Sequence, residues 1–249
     1  MQVTGNSLNR EKKILSIRLT RSGLYFYYVS PHSRDTEFQS QFTPGGDSVA
    51  DLERALIVAD ARTGGDYDRV ELSLDTAAAV FVPEELVAGL NAEEFLSHAG
   101  VGAAIGMRAV TTGTYGGICA VAYADARIME YMEARFAGKL AVVSPAFRLL
   151  GACREAGVEG GALAVYPTEE NVYVAGYGID GKLSLLEVYP LSGEADMVYY
   201  LSKLAEGMIG GGKGGRVKIY LYGAHAGAYR SVVRRYFRKV SVVGRRDRA

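Results

Sequence analysis

The chain has 249 residues, 49% hydrophobic and 22% charged, a globular balance that excludes disorder and suits two compact halves of roughly 120 residues each. Its 28 basic and 28 acidic residues cancel, so no global field draws it to nucleic acid or acidic lipid. The cysteines Cys119 and Cys153 are too few for a disulfide framework or a structural zinc site and read as small buried apolar residues. No apolar run approaches the ~20 residues needed to span a bilayer, and the polar residues 1–13 lack a signal-peptide core, so the expected location is the cytoplasm.

Residues 14–20 and 24–30 read as paired strands around the turn Arg21-Ser22-Gly23, with 36–43 as a third. Asp47-Ser48 opens a helix, with Ser48 and Asp51 spaced as a capping box. Val49, Leu52, Leu56 and Ala59 recur with the spacing of one buried helical face, and Gly64-Gly65 stops it. Residues 70–74 have the apolar content of a central strand. An extra strand is expected over 76–82, ending at Pro83, followed by mostly helical 84–98 and by loops or a short hairpin over 100–117. Regular structure returns with strand 118–123, a helix from Asp125 to Phe136 closed by Gly138, and strand 140–143. Ser144-Pro145 then starts a helix that runs to Gly157 and is expected to bridge two lobes.

From residue 162 the plan returns. Strands 163–166, 172–177 and 183–189 precede a helix over 194–208, with Asp180-Gly181 as the hairpin signal between the last two strands. Strand 217–221, a helix over 224–237 and strand 239–243 complete it. The two halves superimpose about 148 residues apart: Ile17-Arg18-Leu19-Thr20 lies over Val165-Tyr166-Pro167-Thr168, and Gly64-Gly65 with strand 69–74 lies over Gly211-Gly212 with strand 216–221. Three meandering strands, helix, strand, helix, strand is the order of a ribonuclease-H-like lobe. The expected fold is therefore α/β, two ribonuclease-H-like lobes with mixed sheets flanked by helices. Residues 1–143 form the first lobe with its strand and helix insertion, and 144–249 form the bridging helix and the second lobe.

Two such lobes in one chain resemble the actin, sugar-kinase and heat-shock-chaperone superfamily. Within it, the pattern Leu15-Ser16-Ile17-Arg18-Leu19, Phe81-Val82-Pro83 and Leu221-Tyr222-Gly223 is most similar to an uncharacterised bacterial family, domain-of-unknown-function group 3822. The superfamily's ATPases carry Asp-x-Gly at each lobe's first hairpin, where aspartates hold Mg²⁺ and its waters and the glycine admits the phosphates. The matching triplets here are Arg18-Leu19-Thr20 and Tyr166-Pro167-Thr168, without carboxylate or glycine. The resemblance thus implies degenerate phosphate positions at Arg18, Thr20, Tyr166 and Thr168. Pro167 also removes an N–H. The adenosine-turn outline of the superfamily keeps only Gly223. A nuclease reading fails because Asp75 and Glu53 would need a carboxylate where Arg18 stands.

Three other signals have bland explanations. Residues 207–213 reach the lysine of a phosphate-binding loop, but Gly214 replaces the hydroxyl residue, and the loop lies between helix and strand, the reverse of the required order. His32, His98 and His225 have no ligand spacing. The basic end, Arg230, Arg234, Arg235, Arg238, Lys239, Arg245, Arg246 and Arg248, reads as a solvated helix face with Tyr229, Val232, Val233 and Tyr236 inward. The expected function is a non-catalytic actin-like binding or scaffold protein without cofactor or metal, acting through protein–protein contacts. A homodimer is among the arrangements this leaves open; nucleic acid is disfavoured and no membrane is involved. The candidate contact surface comprises Tyr25, Tyr27, Tyr28, Tyr173, Arg234 and Arg235. The alternatives are a nucleotide-binding switch or weak ATPase, and an RNA-binding accessory protein using the basic C-terminus.

Overall fold

A computed structural model describes residues 13–29, 36–42, 47–87, 91–209 and 217–243. They group into two compact units, one of 1–73 with 125–142, the other of 74–124 with 143–249. Each unit contains a five-stranded sheet built on one plan.

In the first unit, β1 (Ile14–Leu19), β2 (Leu24–Val29) and β3 (Thr36–Phe42) form an antiparallel meander. β4 (Arg69–Leu74) lies on the other side of β1, and β8 (Leu140–Val143) beyond it. Leu15, Ile17, Phe26, Val70 and Leu72 are fully buried along these strands. The helix α1 (Ser48–Thr63) buries Leu52, Ala55, Leu56 and Ala59, as the sequence period requires. Its cap differs from expectation. Asp47 is the N-cap, its Oδ1 accepting from the Val49 N–H, while the Ser48 hydroxyl donates instead to Asp125 Oδ2 at 3.2 Å. A carboxylate one residue upstream offers a better acceptor to the open amides than the serine does. Asp125 in turn caps α4 (Ala126–Arg135) through the N–H groups of Arg127 and Ile128, which ties the starts of α1 and α4 together.

In the second unit, β9 (Ala162–Pro167), β10 (Asn171–Tyr177) and β11 (Leu183–Pro190) repeat the meander. β12 (Lys218–Tyr222) pairs parallel with β9, and β13 (Lys239–Val243) parallel with β12. The strand order β11-β10-β9-β12-β13 is therefore the counterpart of β3-β2-β1-β4-β8. On one face, α6 (Glu194–Ile209) and α7 (Ala226–Tyr236) enclose Leu163, Val165, Val174, Leu201, Ile219, Val233 and their neighbours. On the other, α5 (Pro145–Ala156), started by Ser144 and ended by left-handed Gly157, packs against β9 and β10.

The insertion was expected within the first lobe, but its residues group with the second unit. β5 (Ala79–Pro83), β6 (Met107–Thr111) and β7 (Ile118–Asp125) make a three-stranded sheet in the order β5-β7-β6. Ala79, Phe81 and Ala120 join the cluster of Phe147, Leu150, Ala164 and Tyr173 on the α5 side of β9 and β10, which gives the physical reason for that grouping. The stretch 84–98 is two short helices, α2 (Glu84–Val87) and α3 (Ala92–His98), and the glycine-rich stretch after it contributes β6. Tyr236, expected inward, is 61% exposed, and Phe237 takes the buried place. Of the lysine-bearing stretch 207–213, residues 207–209 end α6, while 210–213 with Gly211-Gly212, His32 and the arginines beyond 243 lie outside the described residues.

Candidate functional site

The first hairpin of each five-stranded sheet ends in the same hydrogen-bonded device. In the first unit the Thr20 N–H donates to the Gly23 carbonyl at 2.9 Å. The Thr20 hydroxyl also donates to that carbonyl at 3.1 Å and accepts the Gly23 N–H at 3.1 Å. In the second unit the Thr168 N–H donates to the Asn171 carbonyl at 2.8 Å. Its hydroxyl donates to the same carbonyl and accepts the Asn171 N–H, both at 3.1 Å. Thr20 is 8% and Thr168 1% exposed. A hairpin that binds phosphate turns N–H groups outward. Here the N–H groups at both ends of each turn are consumed inside it.

Arg18 is packed along its own sheet. Its guanidinium lies 4.7 Å above the Tyr25 ring centroid and 5.6 Å from that of Tyr27, and Nη2 donates to the Tyr27 hydroxyl at 3.0 Å. Strand alternation puts all three on one face, because Arg18 pairs with Tyr25 across β1–β2 and Tyr27 is two residues on. Tyr28 points the other way and meets Tyr67 edge-on. Tyr67 hydrogen-bonds Thr63 and Asp60, and burial raises its hydroxyl to a pKa of about 12.

At the corresponding place in the second unit, the Tyr166 ring lies against Gly223 on the side where a Cβ would stand. A Cβ on Gly223 would lie 2.4 Å from Tyr166 Cε2, and the glycine has φ +87°. Gly223 is thus required twice, by the left-handed backbone and by the ring against it. Beside them the turn residue Glu169 meets His225, at the start of α7, with 3.2 Å between Oε1 and Nε2.

Beneath the hairpin lies a buried polar cluster whose members stand far apart in the chain. Asp75 Oδ1 accepts from Asn171 Nδ2 at 2.8 Å and from the Tyr173 hydroxyl at 3.0 Å. Burial and the neighbouring Asp75 charge push the Tyr173 hydroxyl well above the usual tyrosine range. Asn171 therefore closes the Thr168 turn with its backbone and fixes Asp75 with its side chain. The detectable signal was the shared interval: Thr20 to Gly23 and Thr168 to Asn171 both span three residues. Asp75 itself stands directly after the end of β4.

The proposed contact surface divides. Tyr25, Tyr28 and Tyr173 are at most 5% exposed, since tyrosines flanked by apolar neighbours on central strands pack into the core. Tyr27 is half-buried under Arg18, whereas Arg234 and Arg235 are exposed on α7. Cys119 and Cys153 are buried with free thiols, and burial raises both. Among the described residues no group of three or more His, Cys, Asp or Glu is placed to hold a metal ion.

The model of the family "Protein of unknown function (DUF3822)" matches residues 3–240. The chain belongs to the DUF3822 family. Among solved structures, this DUF3822 protein is similar to a Bacteroides thetaiotaomicron VPI-5482 protein with an actin-like ATPase fold and unknown function. The TM-score is 0.75 at 15% identity, with 94% of this chain and 91% of that one covered. It is also similar to the solved PilM–PilN type IV pilus biogenesis complex, with TM-score 0.55, 14% identity and coverage of 94% and 88%. These likenesses establish the actin-like ATPase fold. No curated protein matches the sequence.

Proposed function

We propose that this DUF3822 protein is a non-catalytic member of the actin-like fold that works by binding other proteins. The observation that carries the reading is the pair of threonine-sealed hairpins. Where the superfamily's ATPases hold metal and phosphate, both turns here satisfy their own terminal amides. Two features of the second unit support it further: the Tyr166 ring occupies the space over Gly223, and Pro167 offers no N–H. Tyr166 replaces a carboxylate in that hairpin and Arg18 replaces one in the other. Neither supplies the carboxylate charge by which Mg²⁺ and its waters are held. PilM is found with PilN in a pilus biogenesis complex, and we carry over from it only the general expectation of a protein partner. A cytoplasmic setting belongs to the same proposal, on the strength of two buried, unpaired thiols.

The test is calorimetric titration and thermal denaturation with ATP and Mg²⁺. The expected result is no heat of binding and no shift. A nucleotide at about 100 times its dissociation constant adds about 2.7 kcal/mol to a protein that binds it, so clear stabilisation overturns the reading in favour of a nucleotide-dependent switch.

A further inference from the structure

The second unit's sheet ends in β13, and no described strand pairs with its outer side. Val240 is buried, but Val242, two residues on and therefore on the same face, is 38% exposed, with Lys239 and Ser241 also exposed. The helix that packs on β13 is α7. It carries Arg230, Arg234, Arg235 and, at its exit, Arg238, all of them exposed. Residues 230–239 contain no acid. Among the described residues, none of these four arginines or Lys239 makes an ion pair or side-chain hydrogen bond. Among the described residues, an exposed apolar residue and an unpaired row of backbone donors and acceptors thus share one sheet edge, next to a helix whose exposed cations have no acidic partner.

We propose that this edge docks an acidic, extended segment of a partner protein, which adds as an outer strand beside β13 and sets its carboxylates against the α7 arginines. Strand addition satisfies the open backbone row and covers Val242, and the charges choose the partner. A second copy of this chain is disfavoured as the occupant, because its own edge repeats the same cations. A nucleic acid matches the charge but offers no strand for the backbone to pair with. The proposal rests on the protein-binding reading above and gives that reading a place and a chemistry.

The experiment titrates the full-length protein into a fluorescein-labelled peptide alternating Glu and Val. It follows anisotropy together with amide hydrogen exchange, and repeats the titration with ATP and Mg²⁺ as a separate arm. The expected result is saturable binding that weakens with salt and slows exchange across residues 239–243. Binding should fall at least about tenfold in the Arg234→Glu/Arg235→Glu variant, whose exposed positions leave folding intact by circular dichroism. A peptide of the same sequence with alternate amides N-methylated should lose binding by a similar factor. Absence of saturable binding overturns the proposal, as does binding indifferent to N-methylation, which is charge attraction without strand pairing. A single-stranded RNA that binds more tightly and is lost in the same double variant assigns the face to nucleic acid instead. Nucleotide stabilisation with intact peptide binding defeats the non-catalytic reading alone, and peptide failure without nucleotide binding defeats the edge proposal alone.

Discussion

Replacing Gly223 by alanine should destabilise the second unit, and the size of the effect should depend on Tyr166. Two costs combine. The backbone at φ +87° is one that L residues rarely adopt, worth about 1–3 kcal/mol. The new Cβ would also fall 2.4 Å from the Tyr166 ring, so the ring must move or the chain must shift, at about 1–3 kcal/mol for an overpacked site. Gly223→Ala should therefore cost about 2–6 kcal/mol in the natural background and only the backbone part, about 1–3 kcal/mol, when Tyr166 is already alanine. The double-mutant cycle isolates the steric part as a coupling of about 1–3 kcal/mol. Urea unfolding followed by tyrosine fluorescence reads it, since about 1–3 kcal/mol per molar urea turns that coupling into a midpoint difference of roughly 1 M. Amide exchange over β9 and β12 assigns the loss to the correct unit of a two-unit chain. Costs that add to within about 0.5 kcal/mol would show that the ring does not occupy the space above Gly223, and the account of a filled second-unit turn would fall.

Removing the hydroxyl from either hairpin seal, by Thr20→Val or Thr168→Val, should cost about 1–3 kcal/mol, because a buried N–H loses its acceptor; an unchanged denaturation midpoint would mean that the turns are held otherwise. At the start of α1, Asp47→Ala should cost about 1 kcal/mol and remove the cap, whereas Ser48→Ala should act through the loss of its bond to Asp125; a larger loss for Ser48 would restore the serine as cap. Stability should also decline in alkali. Tyr67 ionises near pH 10 when unfolded but at about 12 in the fold, so its contribution is full below pH 10 and is lost as pH rises through 12, about 3 kcal/mol in all. Urea unfolding at a series of pH values between about 9 and 12 should show a smaller alkaline loss of stability for Tyr67→Phe than for the natural protein, and an equal loss would contradict the buried-hydroxyl assignment.

Much of the scaffold was legible because it depends on short-range chemistry. The two meanders follow from β-branched and aromatic runs around polar turns, and α1 follows from the spacing of Leu52, Leu56 and Ala59. The duplicated order of strands and helices pointed to the fold, and the residues at the two hairpins, Arg18 and Tyr166 among them, are plain in the sequence. Local pattern could not say which body the insertion joins. That depends on which apolar faces meet, and Ala79, Phe81 and Ala120 meet the cluster around Phe147 and Tyr173.

Nor could pattern distinguish a tyrosine that faces solvent from one on a central strand. Tyr173 has the composition of a contact residue, yet it is fully buried and donates to Asp75, a residue 98 positions away. Residue order alone sets the repeated secondary-structure plan and which residues stand at the two hairpins. What those residues do there depends on how the strands and turns pack. Thr20 and Thr168 bond their own turns, Arg18 lies on tyrosines of its own sheet, and Tyr166 fills the space over Gly223. Residue type limits the bonds a side chain can make, and the partner that takes them is fixed by which strands and turns the fold brings within hydrogen-bond or van der Waals reach.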